Sequence, residues 1–328
     1  MEFLLDIVLL SLLALTALAI VRTRDLFACA MLTGIYSLLS ASFFVLMDAV
    51  DVAFTEAAVG AGISTLLMLA ALTLTGRFEK PHTHQARRAI SVIAIITFLM
   101  LYGLEDMPRF GDPNAPAQRH VAEHYLEDGF EEVGVPNLVT SVLASYRGFD
   151  TFGETVVVFT AGIGVLALLA RRRQRHPSKA LNDGHRMENH LILRVVSRFL
   201  VPPILLFALY VQFHGDFGPG GGFQAGVIFA AGLILYAMVF GLEALRKVIP
   251  ETVIRVLAAL GVLLYGSVGM VALLQGKPFL DYRALADDNI AGQHLGIWLV
   301  ELGVGITVAA VMLLLFMVFS ARYDRGAE

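Results

Sequence analysis

The sequence has little of what a soluble or redox-active protein needs. Only 16% of its 328 residues are charged, whereas soluble chains average about a quarter. A single cysteine, Cys29, excludes a disulfide, a cysteine zinc site or an iron–sulfur cluster within the chain. The net charge of −4 gives no support to nucleic-acid binding. These shortages predict a protein without a redox cofactor of its own.

What the sequence has in abundance is apolar runs of membrane-spanning length, and its mean hydropathy is +0.72. A hydrocarbon core about 30 Å thick needs roughly 20 helical residues. Such runs lie near residues 3–21, 26–47, 52–75, 89–104, 149–170, 197–213, 223–242, 252–275 and 293–319. We therefore predict an all-α, polytopic transmembrane bundle of about nine spans. The first run begins with Glu2 and Asp6, not with the basic region of a signal peptide, so we expect it to be retained.

The loop charges alternate along the chain. Basic residues fall in every second loop, namely Arg22 and Arg24; Arg77, Lys80, Arg87 and Arg88; Arg171, Arg172, Arg173 and Arg175; Arg246 and Lys247; and Arg322 and Arg325. The intervening loops are acidic or neutral, and the longest, 105–148, carries apolar residues at the spacing of two short amphipathic helices. By the positive-inside rule, the N-terminus faces out and the C-terminus the cytoplasm. This predicts a multi-pass membrane protein.

A basic, polar stretch divides the spans into five and four. Its Pro177, Asn182, Asp183 and Gly184 are typical of a linker. The predicted units are a three-span module at 1–88, a two-span module with an acidic outer loop at 89–175, a basic cytoplasmic linker at 176–193 and a four-span domain at 194–328.

Three glutamates, Glu56, Glu154 and Glu301, lie inside predicted spans. An ionised side chain at mid-helix costs about 2.5–3.5 kcal/mol, so such a residue must face protein or water and is by default a functional candidate. The alternative for each is an acid at the membrane interface near a helix end. Gly60 and Gly62, which follow Glu56, permit close helix packing or a π-bulge.

Three weaker patterns remain. His120-Val-Ala-Glu123-His124 matches the H-x-x-E-H arrangement of one metallopeptidase class, but a solvated helix face in an acidic loop explains it, so no metal site is predicted. His214 and Asp216 are either surface groups or an ion entry site. The glycine-rich segment after them is no phosphate loop, because no strand precedes it and no Lys-Ser/Thr follows. It is predicted to be a tight turn formed by Pro219, Gly220, Gly221, Gly222 and Phe223.

The last four spans resemble the B subunit of Mrp-type (multiple resistance and pH) Na⁺/H⁺ antiporters. The resemblance lies in Arg198-Phe-Leu-Val-Pro202-Pro203, in His214-Gly-Asp216-Phe-Gly-Pro219-Gly-Gly-Gly-Phe223-Gln-Ala-Gly226 and in Glu301-Leu-Gly303-Val. Asp216 departs from that pattern, in which a histidine is expected.

The first five spans resemble the C-terminal part of the large A subunit of the same antiporters, which is related to the D and E subunits of membrane-bound hydrogenases. The motifs are Arg24-Asp25-Leu-Phe, Gly34-Ile-Tyr36-Ser, Asp51-Val-Ala-Phe-Thr-Glu56-Ala-Ala-Val-Gly60-Ala-Gly62 and Arg147-Gly-Phe-Asp150-Thr-Phe-Gly-Glu154-Thr. The chain therefore resembles a fusion of an A-subunit tail with a complete B subunit.

The resemblance implies a non-redox membrane subunit of a multisubunit antiporter that exchanges Na⁺ for H⁺, with other Mrp subunits and the lipid bilayer as partners. It also implies that the chain is a secondary transporter subunit and not an enzyme, and that it lies in the bacterial inner membrane. It implicates carboxylates at the positions of Glu56 and Glu154 in ion passage. The full set of expected ion-path residues is Glu56, Glu154, Glu301, Asp51, Asp150, His214 and Asp216. Two alternatives stay open, the membrane arm of a hydrogenase-type redox complex and a structural scaffold without an ion path.

Overall fold

The computed structural model describes residues 2–80, 86–109, 111–116, 118–170 and 191–326, and this part of the chain is helical, with no β-strand. Its helices are α1 (Glu2–Arg22), α2 (Leu26–Leu46), α3 (Val50–Glu56), α4 (Thr65–Leu72), α5 (Ala86–Glu105), α6 (Glu123–Glu127), α7 (Gly129–Val133), α8 (Leu138–Thr140), α9 (Gly148–Ala170), α10 (Leu191–His214), α11 (Gly222–Phe240), α12 (Leu242–Val248), α13 (Glu251–Leu274) and α14 (Asn289–Gly326). Within the described residues, nine helical spans are long and apolar enough to cross a membrane, which confirms the predicted number.

Hydroxyl side chains within the spans illustrate how the bilayer shapes the helices. Ser11 donates to the carbonyl of Ile7, and Thr16 donates to that of Leu12, each four residues back along the same helix. Because no water reaches the hydrocarbon core, a polar group there must find its partner within the protein. The hydroxyl groups of Ser11 and Thr16 are therefore hydrogen-bonded within α1 and need no partner on a neighbouring helix.

The third span contains the π-helix that its glycines permit. Residues Ala57–Ser64 form a π-helical segment between α3 and α4, so Val50–Leu72 is one continuous span with a wider middle. A Cβ at Gly60 would lie 2.5 Å from Ser37 Oγ of α2. The missing side chain at Gly60 thus allows α2 to pack closely on the π-helical segment.

The core of the molecule lies around α14. This helix packs against α9, α11 and α13, while α10 packs on α11. The approach is close enough to need glycine, because a Cβ at Gly226 would lie 2.6 Å from the carbonyl oxygen of Gly305. The helices α1 to α4 form a second group, which joins the first where the π-helical segment meets α11 and α4 meets α14.

The helix α5 lies apart from both groups. All of its described side chains, from Arg87 to Glu105, are exposed. An apolar helix whose described side chains are all exposed presents its surface to lipid or to another subunit.

Loops that were predicted to share one side of the membrane do lie together. Asn137 Nδ2, in the 105–148 loop, lies 3.2 Å from Asp51 Oδ1 and 2.9 Å from the carbonyl oxygen of Gly218. The Tyr282 hydroxyl lies 2.7 Å from the carbonyl oxygen of Ala144. We call this end of the bundle the acidic end, and it is formed by residues 47–51, 106–109, 111–116, 118–147, 215–221 and 275–288.

At the opposite end, Arg77 Nη2 lies 2.7 Å from Asp25 Oδ2, which joins two of the basic loops. Asp25 also caps α2 by accepting from the backbone N–H of Phe27. The Arg77 guanidinium holds the pKa of Asp25 below its usual value. The observed pairings thus separate basic from acidic loops as the alternation predicts.

Two segments that connect the spans, the 105–148 loop and the predicted linker at 176–193, differ in part from the prediction. The two short helices predicted in the 105–148 loop are each divided. The first region forms a π-helical turn at Gln118–Ala122 followed by α6 and α7, and the second forms α8, which continues into a π-helical turn at Ser141–Tyr146. Of the linker predicted at 176–193, residues 176–190 lie outside the part of the chain that the structure describes. Its last three residues belong to α10, which begins at Leu191.

A buried tyrosine connects the acidic end to the segment that leads into α9. Only 1% of the Tyr282 surface is exposed, and its hydroxyl donates to the Ala144 carbonyl. We expect Tyr282→Phe to lower the free energy of unfolding by about 1–2 kcal/mol, because that carbonyl would lose this donor. The melting temperature of the purified complex measures this. Tyr102→Phe, at an exposed position of α5, should leave it unchanged, and an equal shift in both variants would contradict the assigned role.

Candidate functional site

Glu301 lies against the glycine-rich turn between α10 and α11. A Cβ at Gly215 would lie 3.2 Å from Glu301 Oε2, and one at Gly221 would lie 3.2 Å from Glu301 Oε1. The carboxylate of Glu301 therefore occupies the space that side chains at Gly215 and Gly221 would fill. Gly221 has a positive φ of 107°, which side chains rarely adopt. The turn needs glycine at this position for its backbone shape as well as for the acid that faces it.

Gln224 links this turn to the third span. Its Nε2 donates to Thr55 Oγ1 over 2.7 Å. Its Oε1 lies on the side of Gly221, 3.7 Å from the position of an added Cβ. A buried amide on α11 thus reaches from the turn at Glu301 to the residue that precedes Glu56.

The Glu56 side chain lies along its own span, next to Gly60. A Cβ at Gly60 would lie 2.7 Å from Glu56 Oε1 and 2.5 Å from Ser37 Oγ, so the carboxylate sits in the gap between the π-helical segment and α2. Gly60 therefore serves both the close approach of the helices and the placement of this acid.

Asn137 completes the connection at the acidic end. Its side-chain amide donates to Asp51 Oδ1 and also to the carbonyl oxygens of Gly215 and Gly218. We call the resulting set of residues the polar seam: Asp51, Thr55, Glu56, Asn137, Gly215, Gly218, Gly221, Gln224 and Glu301. It lies where the first spans meet the last four. Glu301 faces the turn within it, and Glu56 adjoins it as the neighbour of Thr55, with its own carboxylate beside Gly60 and Ser37.

Asp216 and His214 flank the seam in the turn itself. Asp216 Oδ2 lies 3.7 Å from Nδ1 of His294 on α14. Burial raises the pKa of Asp216 above its ordinary value, and the nearby His294 offsets part of that rise. The His214 ring stacks on Tyr210 at 4.9 Å between centroids, and its Nε2 faces Gly218. Both residues therefore lie beside the seam, at the acidic end of the bundle.

Glu154 and Asp150 are not part of this arrangement. Glu154 is exposed on the surface of α9. Asp150 pairs with Arg147, whose Nε lies 2.7 Å from Asp150 Oδ2. Glu154 therefore points away from the core of this chain, towards whatever surrounds α9 in the membrane.

The five residues expected to form the turn divide between two elements. Pro219, Gly220 and Gly221 lie in the loop, whereas Gly222 and Phe223 are the first residues of α11. Glycine is needed at the first position of the helix because its backbone packs directly on the Glu301 carbonyl, where a Cβ would overlap.

The histidine motif of the long loop has local partners. His124 Nδ1 lies 2.9 Å from Asp128 Oδ2, and its Nε2 lies 3.6 Å from Glu132 Oε2. Among the residues that the structure describes, no group of three or more His, Cys, Asp or Glu side chains is placed to hold a metal ion.

The three glutamates inside the spans lack the partners that carboxylates within a membrane usually have. Within the described part of the chain, no side chain donates to Glu56, Glu154 or Glu301, and no Lys or Arg forms an ion pair with them. An unpaired carboxylate in the membrane is stable only with a proton, a cation or water beside it. The chemistry of the site is therefore compatible with exchange of a proton for a cation.

Sequence reasoning did not select Asn137, Gln224, Thr55 or His294. The signal was present for Gln224, which is a buried polar side chain inside an apolar run and is therefore expensive unless paired. For Asn137, only its position after Pro136 at the start of a short helix was visible, and that pattern indicates a helix cap.

Comparison with known proteins gives a consistent assignment. Residues 192–314 match the family model described as a domain related to the MnhB subunit of Na⁺/H⁺ antiporters. Residues 11–77 and 110–186 match models of the D and E subunits of MBH. Over 136 residues the chain is 35% identical to a putative antiporter subunit mnhB2 of Staphylococcus aureus, covering 40% of this chain and 96% of the relative.

A longer relative spans both halves. The probable A/B subunit of a K⁺/H⁺ antiporter of Rhizobium meliloti is 27% identical over an alignment of 282 residues that covers 77% of this chain. The chain spans 27% of the length of that relative.

Two solved structures are similar in fold. The Mrp complex from Dietzia sp. matches with a TM-score of 0.71 and 25% identity, covering 94% of this chain and 34% of the matched chain. A chain of an archaeal membrane-bound sulfane sulfur reductase matches with a TM-score of 0.53 and 31% identity, covering 70% of this chain and 96% of that one.

Proposed function

We propose that this chain, which belongs to the family of MnhB-related Na⁺/H⁺ antiporter subunits, is a non-redox membrane subunit of a multisubunit antiporter that exchanges Na⁺ for H⁺. In this proposal the polar seam is part of the ion path. Glu56 and Glu301 are the carboxylates that bind the transported ions, Asp51, His214 and Asp216 line the approach from the acidic end, and Glu154 with Asp150 contributes at a contact with another subunit.

The proposal rests on the absence of basic partners for Glu56 and Glu301 among the described residues. Glu56 and Glu301 lie inside spans, face glycines and have no cationic partner among the described residues. A structural acid in a membrane would be expected to be neutralised by a basic side chain. Acids that are held in place but left unpaired are suited to bind and release ions.

Carboxylate chemistry suits exchange between a proton and sodium. The same oxygens accept a proton covalently or coordinate a hard monovalent cation, and they cannot do both at once. Competition for one carboxylate couples entry of one ion to release of the other. Movement of the turn against Glu301, or of the π-helical segment against α2, would then decide from which side the site is reached.

The exposed surfaces support a role within a larger assembly. The helix α5 is exposed along its whole described length, and Glu154 faces outward from α9 in a membrane span. An outward acid requires a polar neighbour in the membrane. We propose that other membrane subunits of an Mrp-type complex cover these surfaces, with lipid over the rest.

Expression of the chain alone tests the subunit role. In antiporter-deficient cells we expect no gain in salt resistance from this chain, because an exchange path needs the covering subunits. Co-expression with the other subunits should restore growth in sodium. Resistance conferred by the isolated chain would contradict the subunit role.

Replacement of Glu56 tests the path itself. Glu56→Ala in the whole complex should abolish cation-dependent proton flux while the subunits still co-purify, since Ala is compatible with the helix. Unchanged flux would reject the role of Glu56. Running the assay with sodium and with potassium separates the two cations, because the relative from Rhizobium meliloti carries potassium in its name.

A second candidate function follows from one comparison. The similarity to a chain of an archaeal respiratory membrane complex is consistent with the membrane arm of a redox-driven complex, in which the same acids would pass ions coupled to electron transfer elsewhere. Purification through a tag on this chain discriminates the two. Iron–sulfur or hydrogenase-type partners would favour the redox complex, and antiporter subunits alone favour the exchange function. If Ala at all three glutamates left flux unchanged, a scaffold role would remain.

A further inference from the structure

Asn137 connects three separate segments at the acidic end. Its Nδ2 lies 2.9 Å from the carbonyl oxygen of Gly218, 3.1 Å from that of Gly215 and 3.2 Å from Asp51 Oδ1. Its Oδ1 accepts from the backbone N–H of Val139 and so caps α8, and its own backbone N–H donates to the carbonyl of Asp216. One residue thus touches the third span, the glycine-rich turn and the long loop.

The two carbonyls that Asn137 holds belong to the turn that faces Glu301. Gly215 presents its carbonyl to Asn137 and its α-carbon to the Glu301 carboxylate. The Gly215 carbonyl also accepts from Thr140 Oγ1 at 2.7 Å. A rotation of the Gly215–Asp216 peptide that breaks the hydrogen bond from Asn137 therefore also moves the Gly215 α-carbon, against which the Glu301 carboxylate lies.

We propose that Asn137 is a positioning residue of the ion path. It holds the turn in the shape in which Gly215 and Gly221 face Glu301, and it keeps the Asp51 carboxylate beside that turn. This role rests on the proposed function, because it gives Asn137 an effect on transport only if Glu301 carries ions. Asn137 itself binds no transported ion in this proposal.

The substitution Asn137→Asp separates positioning from simple folding. Aspartate is as good a helix cap as asparagine, so α8 keeps its start. The side chain keeps its size but loses both amide donors, and it brings a second carboxylate next to Asp51. Two carboxylates that share a site cannot both ionise easily, so one of them takes up a proton as the pH falls. Once protonated, the introduced carboxyl group has one O–H donor in place of the two N–H donors of the Asn137 amide.

The pH dependence follows from that chemistry. We expect cation-dependent proton flux of N137D to fall about tenfold at alkaline pH, where a carboxylate faces Asp51 and two carbonyls without a donor. The ratio of N137D to wild-type flux should rise as the pH falls. The other titratable groups near this position, Asp216, His214 and His294, are present in both proteins. Only the carboxylate pair with Asp51 is new in N137D, so a pH dependence of the ratio reports on that pair.

Two control variants complete the measurement on the reconstituted complex. Thr140→Val removes the second donor to Gly215 without adding a charge, and its flux ratio to wild type should not vary with pH. Asn137→Ala should lower flux by a factor that is constant with pH. If N137D impairs assembly, Asn137→Ser, which caps and keeps one donor, should give intermediate flux, and wild-type flux in that variant would overturn the role.

The outcomes distinguish this role from the function on which it rests. A ratio for N137D that stays at one throughout, or that is low and independent of pH like that of N137A, overturns the positioning role. If Glu301→Gln abolishes flux in the same assay, the proposed function stands even when the positioning role of Asn137 is rejected. If Glu301→Gln keeps full flux, the ion path at Glu301 is wrong and the role of Asn137 is rejected with it.

Discussion

Replacing Glu301 with Gln should reduce cation-dependent proton flux of the assembled complex to less than about a tenth of the wild-type rate, equivalent to a barrier at least about 1.4 kcal/mol higher. Gln has almost the same shape, so it can still occupy the space beside Gly215 and Gly221. It cannot take up a proton at neutral pH or neutralise a cation. The expected loss therefore reports on the chemistry of the carboxylate and not on packing.

Two further variants sharpen this result. Glu301→Asp keeps the chemistry but withdraws the carboxylate by about one bond from the glycines, so we expect partial flux. Glu243→Gln removes an exposed acid that pairs with Arg246 away from the seam, and it should leave flux at the wild-type level. Stopped-flow measurement of pH inside proteoliposomes follows all three. Full flux in E301Q would remove Glu301 from the path.

Gly222→Ala should prevent normal folding or assembly, with a loss in the free energy of unfolding of about 3 kcal/mol or more. A Cβ at this position would overlap the backbone carbonyl of Glu301, and the backbone N–H of Gly305 lies next to it. Backbone atoms of a packed helix cannot rotate away as a flexible side chain can. The helices α11 and α14 would have to separate, and they form the centre of the core.

The same change at a glycine with free space gives the matched control. Gly153 in α9 has no heavy atom within 4 Å of an added Cβ, so Gly153→Ala should leave the complex unchanged or stabilise it by up to about 1 kcal/mol through helix propensity. The yield and melting temperature of the purified complex measure both variants. Equal melting temperatures for G222A and wild type would mean that the close packing of α11 on α14 is not required.

The spans and the acids could be predicted because their signals are local. Twenty apolar residues in a row describe a transmembrane helix wherever they occur, and the nine predicted runs appear as spans in the described part of the chain. Glu56 and Glu301 were selected for the cost of placing an acid among such residues. The glycines after Glu56 permit either close packing or a π-bulge, and the structure has both there.

The polar seam could not be predicted because its contacts join distant parts of the chain. Asn137 meets Asp51 across 86 residues, and Gln224 meets Thr55 across 169. Each partner taken alone is an ordinary cap or an isolated polar residue, and only the packing of the spans brings them together. The outward position of Glu154 was also invisible, because helical periodicity gives the faces of a helix but not the neighbour of each face.

Proton flux in proteoliposomes that contain the purified complex tests the central claim most directly, namely that the seam carries exchanged ions. We predict that a sodium pulse moves protons across the membrane in wild type, and that Glu56→Ala and Glu301→Gln abolish this movement while all subunits remain in the complex. Sodium-driven proton movement of equal rate in wild type and in both variants would contradict that claim.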